Sequence, residues 1–151
     1  MSKRDIAIGT EQQVLQGALG AQGLLVIAAV PATGDQSLVG EPLAGKTLTV
    51  NGLYRCLIPL AGLASLAQVH VTATFSGGTV ATDLDTLFTV GSFDPSTWVK
   101  KTNGSGTGNL TSTVRQTSTL DALAGERYAV LDITLTGAQP VTFTQAEYNG
   151  L

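Results

Sequence analysis

His70 is the only histidine in the chain, and Asp83-Leu84-Asp85 is its only Asp-x-Asp pair. A lone histidine is enough for Ser-His-Asp acyl transfer. That chemistry also holds its nucleophile on a strained turn, and no Gly-x-Ser-x-Gly occurs here. In an extended backbone Asp83 and Asp85 project to the same face. Ca2+ is the ion such a pair would take, but a full site wants six to eight oxygens, and no EF-hand spacing supplies the rest. Cys56 is the only cysteine, which excludes an intrachain disulfide and a cysteine-based zinc site. Its neighbours Tyr54, Leu57 and Ile58 make it a small buried apolar residue. Trp98, Tyr54, Tyr128 and Tyr148 are the rings able to stack on a sugar or a base, and Trp98 stands just before the Gly-rich stretch from Asn103 to Gly108. Two readings of Trp98 stay open: an exposed contact, or a plug at one end of the fold. Asn103-Gly-Ser and Asn109-Leu-Thr match the glycosylation tripeptide, as chance allows in a Thr/Ser/Gly-rich segment. No catalytic constellation emerges, and no cofactor is implied, with Ca2+ at Asp83 and Asp85 the one metal worth testing.

The elements that would carry these groups are strands. In Arg127 to Leu135 the residues Ala129, Leu131, Ile133 and Leu135 fall at every second position, with Val130, Asp132 and Thr134 between them. Only an extended backbone sends successive side chains to opposite faces, so one face is apolar and demands a covering sheet. The other face carries Tyr128, Val130, Asp132 and Thr134, a mixture suited to meeting a neighbour. Gln68 to Phe75 alternates in the same way, with Val69, Val71, Ala73 and Phe75 on one face. His70, Thr72 and Thr74 then point towards solvent or a partner. Leu24 to Val30 is the most apolar run, read as a central strand buried on both faces and ended by Pro31. Asn51-Gly52 predicts a type I′ hairpin between Lys46–Val50 and Leu53–Ile58. Pro and Gly make residues 31 to 45 a long surface loop. Leu110 to Thr119 reads as a Thr/Ser-rich strand, Asn103 to Gly108 as a flexible loop, and Tyr148 to Leu151 as a tail.

About eight short strands separated by turn signals, with little helix, predict an all-β fold, an antiparallel β-sandwich of jelly-roll type. Residues 1–16 form an N-terminal arm and 17–151 a single sandwich domain. Val14, Leu15, Ala18 and Leu19 fit a helical stripe that Gly17 and Gly20 weaken, so a short helix and an extended edge segment both remain open.

Charged residues are 13% of the chain, against a usual value of about 25%, and the formal net charge is -3. A weakly acidic surface releases few phosphate counterions, which argues against nucleic acid as partner. Low charge also means little self-repulsion, which suits packing against copies of the same chain or a larger body. The run at Leu24 is far below the roughly 20 apolar residues of a membrane span. It is also too late for an export signal, so synthesis in the cytoplasm is expected.

Two resemblances extend this reading. Phe88 to Leu135, with Gly91-Ser92, Asp94, Trp98-Val99, Gly108-Asn109 and Arg127-Tyr128-Ala129-Val130-Leu131-Asp132-Ile133, is similar to the second half of galactose-binding-like jelly rolls. It lacks the cysteines often seen at the ends of those domains, and it implies fold more than sugar binding. The whole chain resembles small structural proteins of tailed bacteriophages: short, low in charge, rich in Thr, Ser, Gly and Ala, and flanked by an arm and a tail. Capsid decoration (cement) proteins have this character. The resemblance implies a non-enzymatic subunit of the virion, homo-oligomeric with trimers first, bound to a capsid or tail protein. The alternative is a carbohydrate-binding module with its site loops near Trp98. The residues expected to meet a partner or ligand are Tyr128, Val130, Asp132, Trp98 and Asn103.

Overall fold

The computed structural model describes residues 23–60, 66–87, 94–121, 126–137 and 140–150. Among them are ten strands and two 3₁₀ turns, Gln36–Leu38 and Pro95–Thr97. The strands are β1 (Val26–Ala29), β2 (Thr47–Leu48), β3 (Gly52–Pro59), β4 (Leu66–Thr74), β5 (Thr79–Leu87), β6 (Lys100–Asn103), β7 (Gly108–Asn109), β8 (Gln116–Asp121), β9 (Tyr128–Thr136) and β10 (Val141–Gly150). They build two antiparallel sheets. One runs β1-β3-β9-β5-β6, with β7 also on β5, and the other runs β2-β10-β4-β8. β6 and β7 lie on the same edge of β5, Asp85 opposite Asn103 and Ala81 opposite Asn109, so they act as one interrupted strand.

Counted from β2 with β6 and β7 as one, the strands are ordered 1-8-3-6 in one sheet and 2-7-4-5 in the other. That is the double Greek-key order of a jelly roll, and β1 is an addition to it. The chain crosses between sheets at nearly every turn, and the sheets therefore cover each other's apolar faces. The alternating residues of β9 (Ala129, Leu131, Ile133 and Leu135) meet Val69, Val71, Ala73, Val141, Phe143, Ala146 and Tyr148 in the main core. All four β9 residues are at most 2% exposed.

Several sequence expectations change at this level. Asn51-Gly52 does not close a hairpin, because β2 pairs with β10 while β3 pairs with β1 and β9. The turn instead carries the chain from one sheet to the other. Gly52 is required there: its φ is +134°, and a Cβ would lie 2.8 Å from Pro31 Cγ. Leu24 to Val30 is an edge rather than a centre. Leu24 bridges Glu147 of one sheet, and Val26 to Ala29 pairs with β3 of the other, so the segment stitches the two together. Residues 110–115 are irregular, and the strand begins at Gln116. The supposed tail is the end of β10, with Tyr148 opposite Val69.

The Gly-rich stretch is also built in. Gly104 N–H donates to Leu84 O (2.6 Å), and Ser105 and Thr119 exchange both backbone bonds (2.8 and 2.9 Å). Small residues let this segment lie against β8 and close the second edge of the sandwich. The expected arm, residues 1–16, lies outside the described residues. Among the described residues no helix is long and apolar enough to cross a membrane.

Candidate functional site

Each sheet has an outer face, and the two differ in kind. On the six-stranded sheet, the outward row of β9 (Tyr128, Val130, Asp132) is flanked by Arg55 and Leu57 of β3 and by Asp83, Asp85 and Leu87 of β5. It was expected to be an open contact surface. Instead the chain covers it: Trp98, following the Pro95–Thr97 turn, packs with Leu57, Leu87, Tyr128 and Val130 into a second apolar cluster. Tyr128 and Val130 are at most 2% exposed, Asp132 4% and Trp98 8%. As accessible contacts these four are therefore corrected, because the partner of that face is the chain's own strap. Asn103, at the end of β6, is exposed.

Beside this cluster the strand register sets Arg55, Asp132 and Asp83 in line across three strands. Two carboxylates directly opposite repel, and a buried carboxylate needs a cation. Lys100 supplies it. Its Nζ lies 2.8 Å from Asp83 Oδ2, 2.9 Å from Asp132 Oδ2 and 3.3 Å from Asp85 Oδ2. Arg55 holds the other side of Asp132, with Nε 3.2 Å from Oδ1. It also donates from Nη1 to Pro95 O, which ties the strap to the charged cluster. Arg55 Nε, Asp85 Oδ2 and Asp132 Oδ1 lack aligned hydrogen bonds and are held by charge alone.

Burial is the main force raising the Asp85 carboxyl, helped by its neighbour Asp83, to about 6. Burial also works against ionised Asp83, but Lys100 and hydrogen bonds from Asp85 and the Leu84 backbone together outweigh it and hold that carboxyl below its usual range. The Asp83/Asp85 pair does share a face, as the spacing suggested, and an ammonium stands where the sequence raised Ca2+. A shallow groove of about 310 Å³ borders the cluster, lined by Ala29, Leu53, Arg55, Pro95 and Ser96.

The four-stranded sheet presents a polar face of a different kind. Gln68, His70 and Thr72 of β4 stand opposite Asn149, Glu147 and Gln145 of β10, with Thr119 and Thr117 of β8 on the other side. His70 was expected to be an outward polar residue. It is on the outward face but 5% exposed, sunk among its neighbours. Asn149 Nδ2 donates to His70 Nε2 and His70 Nδ1 meets Thr117 Oγ1, both at 3.0 Å. Burial and then Arg115 lower its pKa, against the opposing pull of Glu147, so the ring is neutral at pH 7. Thr72 donates to Gln145 (3.1 Å), and Gln145 in turn to Glu147 (3.2 Å). The side chains of this face are thus ordered by one another. No run of alternating residues in one strand could have revealed it, because its partners come from three distant strands.

No protein-family model matches the sequence, and no curated protein sequence matches it. Among solved structures, the chain is similar to the enzymatically active domain of tailspike protein 4 of bacteriophage CBA120. The identity is 13% and the TM-score 0.48, over 70% of this chain and 15% of that one. A likeness of that size carries neither site nor function across.

Proposed function

We propose that the chain is a non-enzymatic structural subunit of a bacteriophage particle, of the capsid decoration type. It is held in the virion by contacts with a capsid or tail protein and with its own copies. The observation that carries this reading is the outer face of the β2-β10-β4-β8 sheet. Its centre is polar, with Arg115 and Glu147 as charges of opposite sign, and its side chains are already fixed by hydrogen bonds to one another. Such a surface loses little side-chain entropy when a protein settles on it. The groups that chemistry would need are otherwise engaged. His70 bonds through both ring nitrogens, and the three aspartates surround Lys100. The low charge and Thr/Ser/Gly/Ala texture of the sequence support the same reading.

The alternative, a carbohydrate-binding module around Trp98, needs an open ring, and Trp98 is buried against Leu57, Leu87, Tyr128 and Val130. The test is co-sedimentation of the labelled protein with purified phage heads and tails from the source of the sequence. Movement with heads or tails is expected. Protein that stays at the top of the gradient with both, and instead quenches its tryptophan with sugars, would overturn the proposal in favour of the alternative.

A further inference from the structure

We infer that the β10-β4-β8 face pairs with a second copy of itself about a two-fold axis running along β4, each copy's Arg115 meeting the other's Glu147. The inference deepens the proposed function by naming the partner of that face. Its basis is the distribution of charge. The chain leaves Arg115, exposed just before β8, on one flank of His70, and Glu147 of β10 on the other. Both act electrostatically on His70, Arg115 lowering and Glu147 raising its pKa, so both lie near the centre of the face. Asp121 ends β8 at the far end, opposite Leu66.

A two-fold axis along β4 exchanges the flanks. The β8 side of one copy lies over the β10 side of the other, and plus meets minus twice. Arg115 precedes Gln116, which is opposite Val71, whereas Glu147 is opposite His70. The two charges are therefore offset by about two residues, roughly 7 Å along the strand, which is within reach of an arginine side chain. In the alternative, a two-fold axis running across the strands instead of along β4, each flank meets its own kind of edge and the two charges gain nothing.

Three strands of this length present roughly 400 Å² per copy. The total of about 800 Å² belongs to weak, reversible contacts. Pairing is therefore expected only at high concentration or on a particle, where neighbours are held close.

The experiment combines cross-linking with charge reversal. Thr72 lies next to the axis, so in a Thr72→Cys variant the two new thiols face each other between backbones roughly 10 Å apart, the spacing of packed sheets. A short bis-maleimide should link them into dimers. Cys56 does not compete, because it is buried and its thiol is pushed up to about 12. Ser96→Cys, on the opposite outer face, is the control and should stay monomeric. In the Thr72→Cys background, Arg115→Glu or Glu147→Arg alone should lower the dimer yield at least about tenfold, by setting like charges together. The double reversal should restore it. Absence of the Thr72 dimer, or a double reversal no better than the singles, overturns the inference. A protein that co-sediments with particles yet never cross-links through Thr72 fails this inference and leaves the proposed function standing. One that pairs but ignores particles does the reverse.

Discussion

Asp85 shares a covered sheet face with Asp83 and Asp132, so its ionisation adds a third negative charge around the single ammonium of Lys100. Its carboxyl is raised from the ordinary 3.8 to about 6 in the folded chain. Between those values the folded state binds the proton and the unfolded state does not, so this group's contribution to stability is lost as pH rises through about 6. His70 has the opposite sign. Its folded pKa lies below the ordinary 6.5, the unfolded chain takes the proton first, and stability from this group is gained as pH rises towards 7. Asp85→Asn should therefore raise the denaturation midpoint at pH 7 and lose that advantage near pH 4. His70→Gln should fall further behind the wild type as pH rises from 5 to 7. Urea titrations across that range check both, and an Asp85→Asn advantage that does not change with pH would contradict the assignment. Asp132 is different in kind, since it balances both Arg55 and Lys100. Asp132→Ala leaves Arg55 without its carboxylate on a covered face, while Lys100 keeps Asp83 and Asp85, and should cost about 3 kcal/mol. Glu41→Ala, which breaks only an exposed 3.5 Å pair with Lys46, should cost under about 1 kcal/mol in the same measurement.

At the scale of elements, what was legible in the sequence was what alternation encodes. The inward row of β9 and Val69, Val71 and Ala73 of β4 follow from a period of two. What alternation cannot encode is which strand lies beside which. Asn51-Gly52 looked like a hairpin because a turn signal is local, while the choice of partner sheet is not. The Gly-rich stretch looked loose because glycine permits disorder and close approach equally. Here close approach prevails, since a Cβ on Gly106 would lie 2.4 Å from Thr117 O, and its φ is +75°. The charged cluster was half legible: Asp83 and Asp85 share a face by spacing, but Arg55, Lys100 and Asp132 join them only through register. The closure of the edge gives a direct expectation. Gly106→Ala should destabilise by more than Gly77→Ala, because Gly77 has nearly the same φ, +76°, but open space around its Cβ position. The positive φ alone costs about 1–3 kcal/mol at either site. Thermal denaturation measures the difference, and the exchange rates of the Ser105 and Thr119 amides should rise only in the Gly106 variant.

For the whole molecule, the jelly-roll order means that nearly every sheet neighbour is distant in the chain. Thr47 pairs with Thr142, Gly52 with Leu135 and His70 with Glu147. Each such pairing closes a long loop before any packing rewards it, which places folding in the range of milliseconds to seconds. Trp98 makes the order of events observable. The cluster around it takes Leu57 from β3, Leu87 from β5, and Tyr128 and Val130 from β9. Those strands are adjacent only when β9 has already inserted between β3 and β5. The outer cluster therefore has no surface to form on until the six-stranded sheet exists. In stopped-flow refolding, the fluorescence change of Trp98, the chain's only tryptophan, should accompany or follow the far-ultraviolet sheet signal and never lead it. Trp98→Ala should speed unfolding while leaving the folding rate nearly unchanged, as a late contact does. A tryptophan buried within microseconds, ahead of sheet formation, would mean that the strap folds on local contacts alone. In that case the outer face of β9 would be an independent unit rather than the last part of the sandwich to close.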